Sequence, residues 1–196
     1  MHLILASKSR YRAKLLLHAA LGFEGCDPEI DERAVEQALG TDVLAEDRAQ
    51  ILAQTKAISV SEKFPHALVL GCDQILSLGD EILHKAVDFE AARVNLLKLS
   101  GKTHTLYSAM ALAQGGQIVW SLTVPAYMTM RQLSPAFIGR HLALAGEAVL
   151  GSVGCYQIEG PGLQLFEKIE ADYWTIIGLP LLPLMVELRA RGAIDG

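Results

Sequence analysis

HLILASKSRYRAKLLLHAAL, residues 2–21, decides the fold class. Its first five residues are a short apolar run of strand type. From Ser9 the period lengthens to that of a helix, with Tyr11, Leu15 and Ala19 on one face. A buried strand that passes through a small polar turn straight into a helix is how an α/β chain begins. The same stretch poses a chemical question. Lys8, Arg10, Arg12 and Lys14 crowd the start of the helix, where the macrodipole and unpaired N–H groups favour anions.

Working outward, the alternation continues. GFEGCDPEIDE (22–32) reads as a loop or short strand broken by Gly and Pro, and 42–64 as a long amphipathic helix ended by Pro65. ALVLGCDQILSL (67–78) is a longer apolar strand followed by a hairpin turn, GDE. The next helix starts at Asp88 as N-cap and stops before Gly101. The period then falls to two: residues 104–130 read as two strands around Gly115-Gly116. Ser134-Pro135 is a helix start signal, 166–177 reads as core-facing strand, and 179–192 closes with a helix. The expected fold is α/β, a mixed twisted sheet flanked by helices with a central cleft.

Bulk properties narrow the function. The chain has 196 residues, 51% hydrophobic and 20% charged, which suits one globular domain with a sizeable core. A net charge of −5 gives no support to a nucleic-acid surface. With no apolar run of about 18 residues and no leader pattern, the expectation is a cytoplasmic protein that binds neither nucleic acid nor membrane. Cys26, Cys72 and Cys155 are too widely spaced for a CxxC pair and read as buried thiols in a reducing compartment. The six histidines show no ligand spacing and are expected at the surface or with their partners satisfied. Trp120 and Trp174 read as core or interface anchors.

Four constellations carry chemistry. A strand that ends in small hydroxyl residues before a helix presents N–H groups and the Ser7 and Ser9 hydroxyls to one point, a receptor for phosphate oxygens. Lys and Arg nearby would grip the same anion; equally, a serine merely caps the helix while the cations face water. Asp73 interrupts an apolar run, so it is expected at a strand end or bulge. There it could hold Mg²⁺, act as general base towards water, or simply cap a turn or receive a salt bridge. Glu29, Asp31 and Glu32 cluster in an irregular segment, as hard-metal ligands or as solvated charge. Glu159 sits in a Gly-rich bend, YQIEGPG, where backbone can approach a ligand.

In this order along the chain, the features resemble the Maf family of nucleotide pyrophosphatases. The likeness runs from LILASKSRYRAKLL through LGCDQIL, SGKTH and YQIEGPG to GLPL, nearly end to end, as a single Maf-like domain over 1–196, with two lobes around the cleft. It implies hydrolysis of a nucleoside triphosphate between the α- and β-phosphates with a divalent metal, Mg²⁺ or Mn²⁺. By resemblance, Asp73 is the catalytic aspartate, Ser7, Arg12, Lys56 and Lys85 bind phosphates, and Asp31 and Glu32 join Asp73 at the metal. Gln74, Glu159 and Tyr11 match the branch that acts on 7-methyl-GTP. An aromatic face and a carboxylate suit its cationic ring. A homodimer is the family expectation.

Several positions depart from the family pattern. Arg10 stands where a Pro is usual, His84-Lys85-Ala86 replaces G-K-P, and Ser152-Val153-Gly154 replaces K-A-G. Gln157 near Glu159 would restore a pyrimidine preference, for dTTP or UTP, if the register were two residues off. The altered segments are also the support for another class, a nucleotide-binding regulator of cell division and septum formation without turnover.

Overall fold

A computed structural model describes residues 2–195 and divides the chain into two compact units. The first comprises the chain up to Gln74, Tyr107–Pro125 and the chain from Asp172 onward. Its sheet begins with three parallel strands, β1 (Leu3–Ala6), β2 (Glu24–Cys26) and β3 (Leu68–Leu78), in the order β2-β1-β3. The register sets Leu5 opposite Gly25 on one side and Leu70 on the other. Beyond β3 come β5 (Thr103–Gln114) and β6 (Gln117–Met130), numbered after β4 below, joined by the expected turn at Gly115 and Gly116.

Side-chain alternation gives this sheet two apolar faces. Leu3 and Leu5 of β1 join Leu68, Leu70 and Cys72 of β3 in one cluster. With them pack Leu15 and Leu16 of α1 (Arg10–His18) and Leu184 and Leu188 of α7 (Leu181–Ala190). Trp120 and Trp174 lie against it, half-buried. Ile4, Ala6 and Val69 face the other way and meet Val60 of α3 (Ala45–Lys63). Two further helices belong to this unit, α2 (Glu32–Leu39) and α6 (Tyr173–Ile177).

The second unit, Ile75–Leu106 and Ala126–Ala171, holds the far part of β3 in an antiparallel hairpin with β4 (Glu81–Leu83). It also holds α4 (Phe89–Leu99), α5 (Pro135–Ala145) and β7 (Phe166–Glu170), which pairs antiparallel with β6. Asp88 and Ser134 cap α4 and α5 as expected, accepting from the Ala91 and Phe137 N–H groups. Parallel and antiparallel pairs together make the sheet mixed and the fold α/β.

Three expectations need correction. Glu32 is not in the loop but begins α2, whose Ala34, Val35, Ala38 and Leu39 keep helical spacing although none of them is buried. Residues 166–177 are not one core-facing strand: β7 stops at Glu170, is mostly exposed, and Asp172 caps α6 by accepting from the Thr175 N–H and hydroxyl. His104 and His141 are neither surface nor satisfied. Both are buried, and His104 Nδ1 and His141 Nε2 have no hydrogen-bond partner among the described residues.

Candidate active site

Strand alternation decides where the site's chemistry faces. Val69, Gly71 and Asp73 project to the α3 side of β3, while Leu70, Cys72 and Gln74 project to the other. At Gly71 a Cβ would fall onto the Ala53 carbonyl and within 2.6 Å of the Ala57 nitrogen, so only glycine lets α3 cross this closely. Lys56 lies between those two alanines. The close crossing delivers its ammonium to Asp73, with Nζ 2.6 Å from Oδ1.

The pair is deeply set, Lys56 being 5% and Asp73 7% exposed. Asp73 is thus inside a strand, not at its end. It comes two residues after β1's last pairing, Ala6 with Gly71, so it sits just past the carboxyl end of its parallel neighbour. Asp73 Oδ2 has no protein partner among the described residues and is the oxygen that a water can approach. Lys56 Nζ also reaches Glu32 Oε1 at 2.9 Å. Glu32 begins α2, where a carboxylate is favoured by the helix dipole.

Helix α2 itself is fixed at both ends. Asp31 Oδ1 accepts from the Ala34 N–H as N-cap. The buried Arg48 of α3 donates to the carbonyls of Glu36, Gly40 and Val43, closing the other end. Asp31 is therefore engaged as a cap by one oxygen, and Glu29 pairs with Lys63 at 2.5 Å.

The opening cations divide. Ser9 is the N-cap of α1, accepting from the Arg12 N–H, while Ser7 Oγ accepts from the Ser9 N–H. Lys8 pairs with Asp27 at 2.8 Å, and that hydrogen bond raises the lysine and lowers the aspartate from their usual ranges. The exposed Arg10 guanidinium lies 5.0 Å over the Tyr11 ring. Arg12 turns inward. It donates to the Cys72 carbonyl and the Gly178 carbonyl, both at 2.9 Å, and to Ser7 Oγ at 3.3 Å. No carboxylate pairs with it among the described residues, so its charge is left for an anion.

Gly178 is the left-handed C-cap of α6, with φ of +100°, a conformation that favours glycine, and its backbone lies against Arg12 and Gln74. Gln74 Nε2 donates to Ser108 Oγ at 2.8 Å and to the Ile176 carbonyl at 3.0 Å. Its amide nitrogen is thus engaged in holding the end of α6. Burial pushes the Cys72 thiol up to about 11, which leaves it protonated and unreactive.

The structure therefore gathers Ser7, Arg12, Glu32, Lys56, Asp73 and Gln74 in the first unit, with Tyr11 and Asp31 on neighbouring turns. Lys85, just after β4, and Glu159, in the bend before a 3-10 turn, lie in the second unit. Reading the sequence missed Gly71, Arg48 and Gly178, which place these side chains. A lone Gly inside a strand does signal a close backbone approach.

No group of three or more His, Cys, Asp or Glu side chains is gathered for a metal among the described residues. The donor chemistry nonetheless fits a Mg²⁺ or Mn²⁺ that takes most of its shell from phosphate and water. Glu32 and Asp73 converge on one cation, the Lys56 ammonium. No helix among the described residues is long and apolar enough to cross a membrane.

A family model described as Maf-like protein matches residues 2–191. A 7-methyl-GTP pyrophosphatase of Mesorhizobium japonicum is 58% identical over 195 residues, covering 99% of this chain and 98% of that one. Proteins of the same description from Brucella abortus and Rhizobium johnstonii are 57% and 52% identical at the same coverage. Among solved structures, a nucleoside-triphosphatase / dITP/XTP pyrophosphatase from Mycobacterium abscessus aligns with a TM-score of 0.40 at 17% identity, over 77% of this chain and 95% of that one.

Proposed function

The chain belongs to the family of Maf-like proteins, and on that premise we propose that it is a 7-methyl-GTP pyrophosphatase. It is a hydrolase of acid anhydrides that splits the α–β phosphate bond and releases the monophosphate and pyrophosphate. The substrate rests on relatives more than 50% identical over nearly the whole chain. The observation that carries the chemistry is the buried Asp73, held at Oδ1 by Lys56 and open at Oδ2.

Asp73 Oδ2 takes a proton from a water as that water's oxygen bonds to the α-phosphorus, and the bond from the α-phosphorus to the bridging oxygen breaks. The electron pair leaves with pyrophosphate. Lys56 holds the carboxylate in the free protein, which aims the base beforehand, and is assigned to the phosphates once the nucleotide binds. The unpaired charge of Arg12, beside the Ser7 hydroxyl, meets the charge that grows on the phosphates. Lys85 is assigned to the same phosphates, and Tyr11, Gln74 and Glu159 to the base. Asp31, Glu32 and Asp73 would hold a divalent Mg²⁺ or Mn²⁺, which would supply further charge neutralisation. A homodimer working in the cytoplasm completes the proposal.

The test is pyrophosphate release from 7-methyl-GTP, GTP, UTP and dTTP with Mg²⁺ or Mn²⁺. The expected result is the highest kcat/KM for 7-methyl-GTP, and a loss of at least ~100-fold in Asp73→Asn, the scale of a removed general base. A folded Asp73→Asn protein with full turnover would overturn the mechanism. Nucleotide binding without any pyrophosphate release would favour a regulator instead.

A further inference from the structure

We propose that the Lys56 ammonium occupies the cation position of the Glu32–Asp73 pair, so that a divalent cation enters this site only together with the phosphates of a nucleotide. The inference rests on the reading of Glu32 and Asp73 as the metal-facing pair.

The geometry is that of a bound cation. One Nζ lies 2.6 Å from Asp73 Oδ1 and 2.9 Å from Glu32 Oε1, so both carboxylates turn to a single point. The ammonium is not a loose surface charge. It is brought there by the α3 crossing over Gly71, and swinging away would leave a buried Asp73 unpaired.

Charge counting then sets the order of binding. Two carboxylates and one ammonium leave the pair with a single negative charge. A divalent cation added alone would reverse that sign, against an adjoining Lys56 and with the unpaired Arg12 guanidinium acting on the same stretch of β3. Phosphate oxygens remove the excess positive charge. They also give the displaced ammonium a new partner, so Lys56 passes from the carboxylates to the nucleotide as the cation arrives. Free metal is refused, and metal carried by a nucleotide is accepted.

The experiment measures Mn²⁺ binding by the electron paramagnetic resonance of free Mn²⁺, for the full-length protein without nucleotide. Lys56→Met is expected to bind Mn²⁺ at least about tenfold more tightly than wild type, because a nearby unit charge is removed. Lys56→Arg, which keeps the charge, should match wild type. Adding an α,β-methylene nucleotide analogue should tighten Mn²⁺ binding to wild type by a similar factor. Equal Mn²⁺ affinity in wild type and Lys56→Met would overturn the proposal, as would tight binding to wild type without nucleotide. Lys56→Gln, which still donates to Asp73, serves for the metal-only comparison if the methionine variant does not fold. That comparison contains no nucleotide, so its outcome stands apart from whether 7-methyl-GTP is the substrate.

Discussion

Arg12 shows how one side chain resolves the crowding of cations at a helix start. Its planar fork serves two carbonyls and a hydroxyl at once, in directions that a lysine ammonium cannot reproduce. Arg12→Lys should therefore cost about 1–3 kcal/mol in urea unfolding, the range for half-buried carbonyls that lose their donors. It should also raise KM for the nucleotide. The residues alone made the cluster visible, and only the family resemblance singled out Arg12 within it. Lys8, Arg10 and Arg12 look alike on paper, and only the fold turns one inward, one to Asp27 and one over Tyr11. Asp73 was legible for a better reason. A carboxylate inside an apolar strand has few inexpensive explanations.

At the scale of elements, the crossing of α3 over β3 is the contact on which the site depends. Gly71→Ala would drive a methyl into the helix backbone, not into a yielding side chain. Such overpacking costs at least about 1–3 kcal/mol. The expected outcome is a lower thermal midpoint together with lost turnover, since the same shift separates Lys56 from Asp73. Circular dichroism melting and pyrophosphate release measure the two effects. The strands β1 and β3 and the long helix α3 were legible from their apolar runs and breakers, and α4 and α5 from the caps Asp88 and Ser134, all within a few residues of where patterning puts them. The failures are short elements. Helix α2 has no buried stripe, and its Asp31 cap sits in a run of acids that reads as solvated charge. Helix α6 has five residues rich in β-branched and aromatic side chains, so local propensity argued for strand, while the Asp172 cap and Gly178 stop fix the helix. Glu32 and Gln74 take their surroundings from these two helices, which is why their contacts were not legible from the residues alone.

Across the whole molecule, some groups bear on stability without belonging to the site. In the second unit, His104 Nε2 lies 2.7 Å from the Tyr156 hydroxyl, and burial lowers the imidazole to about 4. Burial also pushes the Tyr156 hydroxyl upward, so it stays protonated. A histidine that is neutral when folded but takes a proton near pH 6.5 when unfolded makes the unfolded state the greater proton binder between those values. Stability is therefore full above pH 6.5 and falls as the pH drops towards 4, by up to roughly 3 kcal/mol. Urea midpoints at pH 7.5 and pH 5 should differ more in wild type than in His104→Gln. The first unit raises a different matter, because it is built from three separated stretches of chain. Leu184 and Leu188 complete its core, and the Gly178 carbonyl that holds Arg12 stands 166 residues away in sequence. Contacts so distant form late and slow the search for the native state. Synthesis from the N-terminus adds a constraint of its own. On the ribosome, Asp73 and Lys56 are made long before α6 and α7 exist. The second unit has its last residue at Ala171, while the unit that bears the carboxylates must wait for the segment that follows. Catalytic competence is thus gated by translation, and a nascent chain stopped before Asp172 carries every proposed site residue without the framework that aligns them.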